Sequence, residues 1–381
     1  MTLTAITDGR IFDGREWHDG KALIFENGQV KAISDAVSAG ARRIDAEGAL
    51  VIPGFIDLQV NGGGGAMFNS EPTPEGIATI ARAHARFGTT KLLPTLITDN
   101  REITAEARKA GREARAKTIP GFLGIHLEGP HLSVSRKGAH DPTLIRPMEP
   151  ADLDALREYR AETGLLLTTL APESVSRDQV RALDHAGVTV SLGHTDTTCA
   201  NALTYFEAGA RMSTHLFNAM SPLGHREPGL VGATIHSASA YAGIIADGFH
   251  VDPVAMGVAL RAKRGPGKIF IVTDAMSTIG TDDTGLLLNG RQIFREGGRL
   301  TLADGTLAGA DIDMLSSVLF VHRTLGFPIE EAIRMASLYP AEAMGVGDRH
   351  GRLLPGYAAD FILLEPSLSI RSVFIDGVEL E

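Results

Sequence analysis

Glu128, His194, His215 and Asp274 each follow a short apolar run. Two imidazoles and one carboxylate hold a divalent ion while leaving a position for water, which is the donor set of a hydrolytic metal centre. Asp274, in Val272-Thr273-Asp274-Ala275, adds a second carboxylate. Beside the attacking water it takes a proton as the new bond forms, then returns that proton to a leaving nitrogen. A lone histidine is more often a satisfied core or surface residue than a ligand. His18, His84, His185, His236, His322 and His350 are read that way, and His126, one step deeper than Glu128, is given a structural role. An aspartate at a strand end also serves to cap the next helix, but beside Glu128, His194 and His215 the catalytic reading outweighs it.

The residues between these positions limit the metal count. Where many barrel hydrolases carry two imidazoles, this chain has Gln59-Val60-Asn61. Carboxamides ligate divalent transition metals weakly but donate and accept hydrogen bonds, so Gln59 and Asn61 are expected to orient water. The run Leu165-Leu-Leu-Thr-Thr-Leu170 contains no lysine that could be carboxylated to bridge two ions. One divalent ion per chain follows, zinc first, with iron or another divalent ion also suited to these donors. Arg226 is the first cation on the rim side of His215, and a guanidinium suits forked phosphate contacts. A solvated loop arginine is an equal reading on these grounds alone.

The elements that must position these residues are eight apolar segments: Ala49 to Leu58, Thr90 to Thr95, Phe122 to Leu127, Leu165 to Leu170, Val188 to Leu192, Arg211 to Thr214, Tyr241 to Ala246 and Lys268 to Val272. Helical periodicity separates most of them, from Pro74 to Phe87 through to Asp311 to Leu325. Strand and helix in alternation predict an α/β chain, a (β/α)₈ TIM barrel whose strand ends converge on one rim. Turns at Asp13-Gly14, Asp19-Gly20 and Asn27-Gly28 predict short antiparallel strands from Thr2 onward, and similar texture returns after Gly351. The expected division is a small β-sandwich domain from residues 1–48 and 351–381 beside a barrel over 49–350. Residues 281–310, with turns at Asn289-Gly290 and Asp304-Gly305, are expected to be a β insertion. Gly129 to Met148 is too long for an ordinary connection and is the expected lid.

The formal charge of −10 argues against nucleic acid and anionic membrane as partners. The 381 residues are 44% hydrophobic and 22% charged, an ordinary globular balance. Cys199 is the single cysteine, read as a buried helix thiol, which fits a reducing, cytoplasmic setting. No apolar run approaches the ~20 residues of a membrane span, and Met1 to Gly20 lacks a signal pattern.

The runs Pro53-Gly-Phe-Ile-Asp-Leu-Gln59, Gly124-Ile-His-Leu-Glu-Gly-Pro130, Ser191-Leu-Gly-His-Thr195, Thr214-His-Leu-Phe-Asn-Ala-Met220, Thr273-Asp-Ala-Met276 and Asp304-Gly-Thr-Leu-Ala-Gly309, in this order, closely resemble the N-acetylglucosamine-6-phosphate deacetylases of the amidohydrolase superfamily. The resemblance covers essentially the whole chain. It implies hydrolysis of the acetamide of N-acetylglucosamine 6-phosphate to glucosamine 6-phosphate and acetate, in amino-sugar catabolism. By matching positions it implies Glu128, His194 and His215 as metal ligands and Asp274 as acid and base. His140 would polarise the acetyl carbonyl or bind the sugar, and Asn218 and Ala219 would lend amide groups. Arg226 and His250 would hold phosphate and sugar, one of them across a homodimer. Gln59 and Asn61 match members with one metal, and Ala310 departs from the small hydroxyl residue expected at its place. Two rivals are a cyclic amidase of the dihydroorotase or hydantoinase kind and a non-catalytic binding barrel. The amides and the lysine-free strand oppose the first, the intact Glu, His, His and Asp set the second.

Overall fold

A computed structural model of the chain describes residues 3–288 and 290–380. Met1, Thr2, Asn289 and Glu381 lie outside the described residues, and with them one half of the expected Asn289-Gly290 turn. The strands Phe55–Val60, Thr89–Ile97, Ile125–Glu128, Leu166–Leu170, Thr189–Leu192, Met212–Ser213, Tyr241–Ile245 and Ile269–Val272 form one sheet in chain order. All neighbouring pairs are parallel. The sheet closes on itself: Asp274 N donates to Gln59 O at 2.9 Å, and Val60 bridges Ala275. Every residue of Phe55–Val60, Thr89–Ile97, Ile125–Glu128, Leu166–Leu170 and Ile269–Val272 is buried, because helices cover the outer face and side-chain layers fill the inner one.

Helix starts follow from local chemistry. Thr73, Asn100, Ser176, Thr198 and Asp313 each accept a hydrogen bond from a first-turn backbone N–H of the helix that follows. Three helices lie outside those expected from the sequence: Gly229–His236, Ile329–Ala336 and Leu338–Ala343. The first is buried from Gly229 through Thr234, so it has no polar face to set a period, and the last carries Pro340.

The segment expected as one barrel strand, Ala49 to Leu58, divides in two. Leu50–Pro53 leaves the barrel and pairs with Phe361–Leu364 and Arg10–Phe12. Gly54, where the chain crosses into the barrel, lies against the Thr90 side chain with no room for a Cβ. The resulting six-stranded sheet faces a four-stranded sheet of Gln29–Ser34, Ala22–Glu26, Thr4–Thr7 and Arg42–Asp45. Between them Phe25, Phe361 and Phe374 pack with ring centroids 4.3 to 6.3 Å apart. Gly285–Leu288, Arg291–Glu296, Arg299–Thr301 and Leu307–Ala310 make a further antiparallel sheet. Its Leu288, Ile293, Leu300 and Ala308 pack with Met67, Ile97 and Met276. Among the described residues no helix is long and apolar enough to cross a membrane.

Lys91, on the second barrel strand, ties the barrel to the sandwich. Its Nζ lies 3.0 Å from Asp360 Oδ1 and 3.1 Å from Asp376 Oδ1, with Lys91 and Asp360 both buried. Burial works to raise the Asp360 pKa, but the charge of Lys91 and the contacts from His350 and the Asp376 N–H together outweigh it and hold the carboxyl below its ordinary range. That contribution to stability is full above the unfolded-state pKa of ~3.9 and is lost as pH falls through the lower folded value. Lys91→Met leaves Asp360 buried without its cation and is expected to cost about 3 to 5 kcal/mol, read as a lower denaturation midpoint with a flattened acid dependence. A loss under about 1 kcal/mol would contradict this reading of the pair.

Candidate metal centre

The C-terminal ends of barrel strands three, five and six bring Glu128, His194 and His215 to one point. His194 Nε2 lies 3.1 Å from His215 Nε2, and both nitrogens lie 3.2 Å from Glu128 Oε1. Four ligands held tetrahedrally at about 2.0 Å stand about 3.3 Å from one another, so the triangle fits a divalent ion. Two imidazole lone pairs turned toward each other repel unless a proton or a cation lies between them. His194 Nδ1 faces the Arg136 carbonyl oxygen at 2.9 Å, a partner that only accepts, so the hydrogen sits on Nδ1 and Nε2 is free to ligate. His215 Nδ1 is buried and has no hydrogen-bond partner among the described residues.

Aiming these side chains into the mouth strains the backbone. His194, His215 and Asp274 all adopt left-handed conformations, with φ of 49°, 29° and 54°. Non-glycine residues rarely do so, and such strain gathers where side-chain direction matters. Asp274 is further pinned by its own main chain, its N–H given to Gln59 O and its carbonyl receiving Ala310 N–H, both at 2.9 Å.

The two carboxamides link the ligand set to Asp274. Gln59 Nε2 donates to Glu128 Oε1 and to Asp274 Oδ1, each at 3.1 Å, and Asn61 Nδ2 donates to Asp274 Oδ1 at 2.7 Å. Asp274 Oδ1 is therefore saturated, and Oδ2 is the oxygen left to carry a proton. Asn61 Oδ1 is buried without a partner among the described residues. Burial, then the neighbouring Glu128 charge, raises the Asp274 pKa to about 6. Burial also works to raise the Glu128 pKa, but the surrounding imidazoles of His194, His215 and His140 together outweigh it and hold the group well below the carboxylate range.

His140, in the long connection after strand three, reaches the same mouth. The Thr98 backbone N–H donates to its Nδ1 at 3.3 Å, which leaves Nε2 to carry the hydrogen, 3.9 Å from Glu128 Oε2. Burial, then the nearby His194, pushes its pKa down to about 3, so it is a neutral donor. His250 is held by Asp247, Nδ1 to Oδ2 at 2.6 Å. Asp57, Gln59 and His126 lie deeper. Burial pushes His126 down to about 4, and its ring bonds Thr95 and Thr169.

A cavity of about 150 Å³ opens over these groups, lined by Asn61, Glu128, His140, His194, His215, Asn218, Ala219, His250 and Asp274. Arg226 does not line it and is exposed on the loop that leads away from His215. Sequence reasoning missed Asp247 and Thr98, which orient His250 and His140. It also missed the wall built by Leu288, Leu307, Ala308 and Gly309 of the inserted sheet. The spacing Asp247-Gly-Phe-His250 after a strand end was the available signal for Asp247. Arg291 of the inserted sheet donates to the Ala139 carbonyl, next to His140.

Residues 50–380 match the family described as the amidohydrolase family. The chain is 42% identical over 327 residues to an N-acetylgalactosamine-6-phosphate deacetylase of Shewanella sp. (strain ANA-3), covering 86% of this chain and 82% of that protein. It is 36% identical over 346 residues to the N-acetylglucosamine-6-phosphate deacetylase of Haemophilus influenzae, covering 90% and 89%. The crystal structure of N-acetylglucosamine-6-phosphate deacetylase from Pasteurella multocida superimposes with a TM-score of 0.95 at 33% identity over 99% of both chains.

The centre couples metal binding to protons. Burial disfavours the imidazolium of His215, but its hydrogen bond to Glu128 and the charges of Glu128 and Asp274 together outweigh burial and raise its pKa above the ordinary histidine value. Below that raised value a proton must leave before the nitrogen can ligate, so affinity falls as pH falls. Titrating zinc into metal-free protein in buffers of different ionisation enthalpy is expected to show proton release that grows as the pH is lowered. Proton-neutral, pH-independent binding would contradict the coupling.

Proposed function

Because the chain belongs to the amidohydrolase family, we propose that its metal centre hydrolyses the acetamide of N-acetylglucosamine 6-phosphate, yielding glucosamine 6-phosphate and acetate. The observation that carries this reading is the triangle of Glu128, His194 and His215 beside an aspartate with one free oxygen, in a chain whose relatives bear this activity in their names. Those three residues hold one divalent ion per chain, proposed to be zinc. When bound, such an ion acidifies a water and polarises the acetyl carbonyl. His140 Nε2–H would donate to the same carbonyl oxygen. Asp274 takes a proton from the attacking water on Oδ2 and hands it to the sugar nitrogen as the C–N bond breaks. Gln59 and Asn61 keep Oδ1 occupied, so the proton has one carrier atom.

His250 and the Asn218-Ala219 turn are proposed to face the sugar and its phosphate. Arg226 is proposed to meet the phosphate in a partner's cavity across a homodimer. Exposed apolar residues flank it and His250: Leu223 at 54%, Phe249 at 40%, Val254 at 75% and Val258 at 58%. A cytoplasmic setting is proposed on the single cysteine, Cys199. The C4 epimer is a second reading of the substrate, favoured by the 42% identity to a protein named for N-acetylgalactosamine 6-phosphate.

Acetate release from the two sugar phosphates, measured side by side on metal-loaded protein, tests the reading. Release from neither would end it. Asp274→Asn keeps size and metal, and is expected to lower kcat by ~10²- to 10⁴-fold with bound metal unchanged. Near wild-type kcat would return Asp274 to a capping role. Arg226→Ala is expected to lower kcat/KM for the phosphorylated sugar by roughly 10- to 100-fold while leaving the unphosphorylated sugar untouched. Equal losses on both sugars would mean that Arg226 supports its loop, and a monomer by sedimentation would rule out the cross-subunit contact.

A further inference from the structure

Asp57 is fully buried in the first barrel strand, one layer beneath the metal centre, and no step above uses it. Its Oδ1 accepts from Gln59 N and from Thr273 N, both at 3.2 Å, and its Oδ2 accepts from the Thr273 hydroxyl at 2.5 Å. The same hydroxyl oxygen accepts from Ala275 N at 3.3 Å. These contacts cross the seam where the barrel closes, between the strands Phe55–Val60 and Ile269–Val272. Backbone bonds there lie toward the rim from Asp57: Asp274 N–H to Gln59 O, and the Asn61 and Gly62 N–H groups to Ala275 O. Asp57 thus grips the main chain of Gln59, whose side chain spans Glu128 and Asp274. It also grips Thr273, the residue that launches Asp274 into its left-handed turn. A buried carboxyl is costly, and an apolar side chain would fill the layer more cheaply unless those contacts were needed.

We propose that Asp57 is a positioning residue for the deacetylation, a clip across the barrel seam that holds the Gln59 amide and Asp274 in mutual register at the metal centre. The proposal rests on the functional reading above for its kinetic arm only. Asp57→Asn and Thr273→Val each remove one member of the clip at nearly constant volume. Each is expected to lower kcat by about 10- to 100-fold, with KM within about threefold and metal content unchanged, since small misplacements of reacting groups carry costs of that size. The double variant is expected to be no slower than the worse single one, because both break one unit. Thr273→Ser restores the hydroxyl and is expected to recover most of kcat. In a crystal structure of Thr273→Val, the contact of Gln59 Nε2 with Asp274 Oδ1, 3.1 Å here, is expected to be lost. Unchanged kcat with only a lower melting temperature, additive losses, or an intact contact would each overturn the proposal. If wild-type protein released no acetate, the functional reading would fail and the crystallographic contact would decide for or against the clip. Should Asp57→Asn not fold, the Thr273 pair decides.

Discussion

Glu128 is 2% exposed, and an ionised carboxylate in such a place persists only when its surroundings compensate the loss of water. Its Oε1 is the point on which two imidazole nitrogens and the Gln59 amide converge. Two of those groups are then committed elsewhere: His194 to the Arg136 carbonyl, and Gln59 to Asp274, which Asn61 holds in turn. Compensation of one buried charge therefore organises most of the barrel mouth. A divalent cation at the same point would add the positive charge that imidazoles and amides supply only in part.

The fold provides this convergence at a backbone cost. Parallel strands end together on one rim, yet a side chain at a strand end points along the barrel wall unless the chain turns. The left-handed conformations of His194, His215 and Asp274 are that turn, and Ala310 of the inserted sheet secures the last of them by bonding the Asp274 carbonyl. The inserted sheet has a second consequence, since Leu288, Leu307 and Ala308 give the cavity an apolar wall facing the polar one. A charge-bearing reaction is thereby kept from bulk water, which strengthens each fixed dipole around it.

What could be read from the sequence follows from where information is local. The barrel was legible because each strand is a short apolar run ended by a polar residue. Glu128, His194, His215 and Asp274 stood out because of that position rather than their type. The break at Pro53-Gly54 was not legible, since Leu50–Pro53 and Phe55–Val60 are equally apolar and their partners, Phe361–Leu364 and Thr89–Ile97, are far apart in the chain. Leu288, Leu307 and Ala308 look like any hairpin residues until the sheet folds over the mouth. Arg226 shows the limit of sequence distance: eleven residues from His215 by the numbering, it is exposed outside the cavity of its own chain, because the loop turns outward. Asp57 carries no local signal of its contacts, because they depend on a seam joining the first strand to the eighth.

The central claim is that Glu128, His194 and His215 share one ion and that the amides exclude a second. Anomalous diffraction at the zinc edge from zinc-loaded, active crystals tests it most directly. The account predicts one peak per chain, within about 2.0 to 2.2 Å of Glu128 Oε1 and of both Nε2 atoms. A second peak between Gln59 and Asn61 that activity requires, or a single peak away from the three residues, would contradict it.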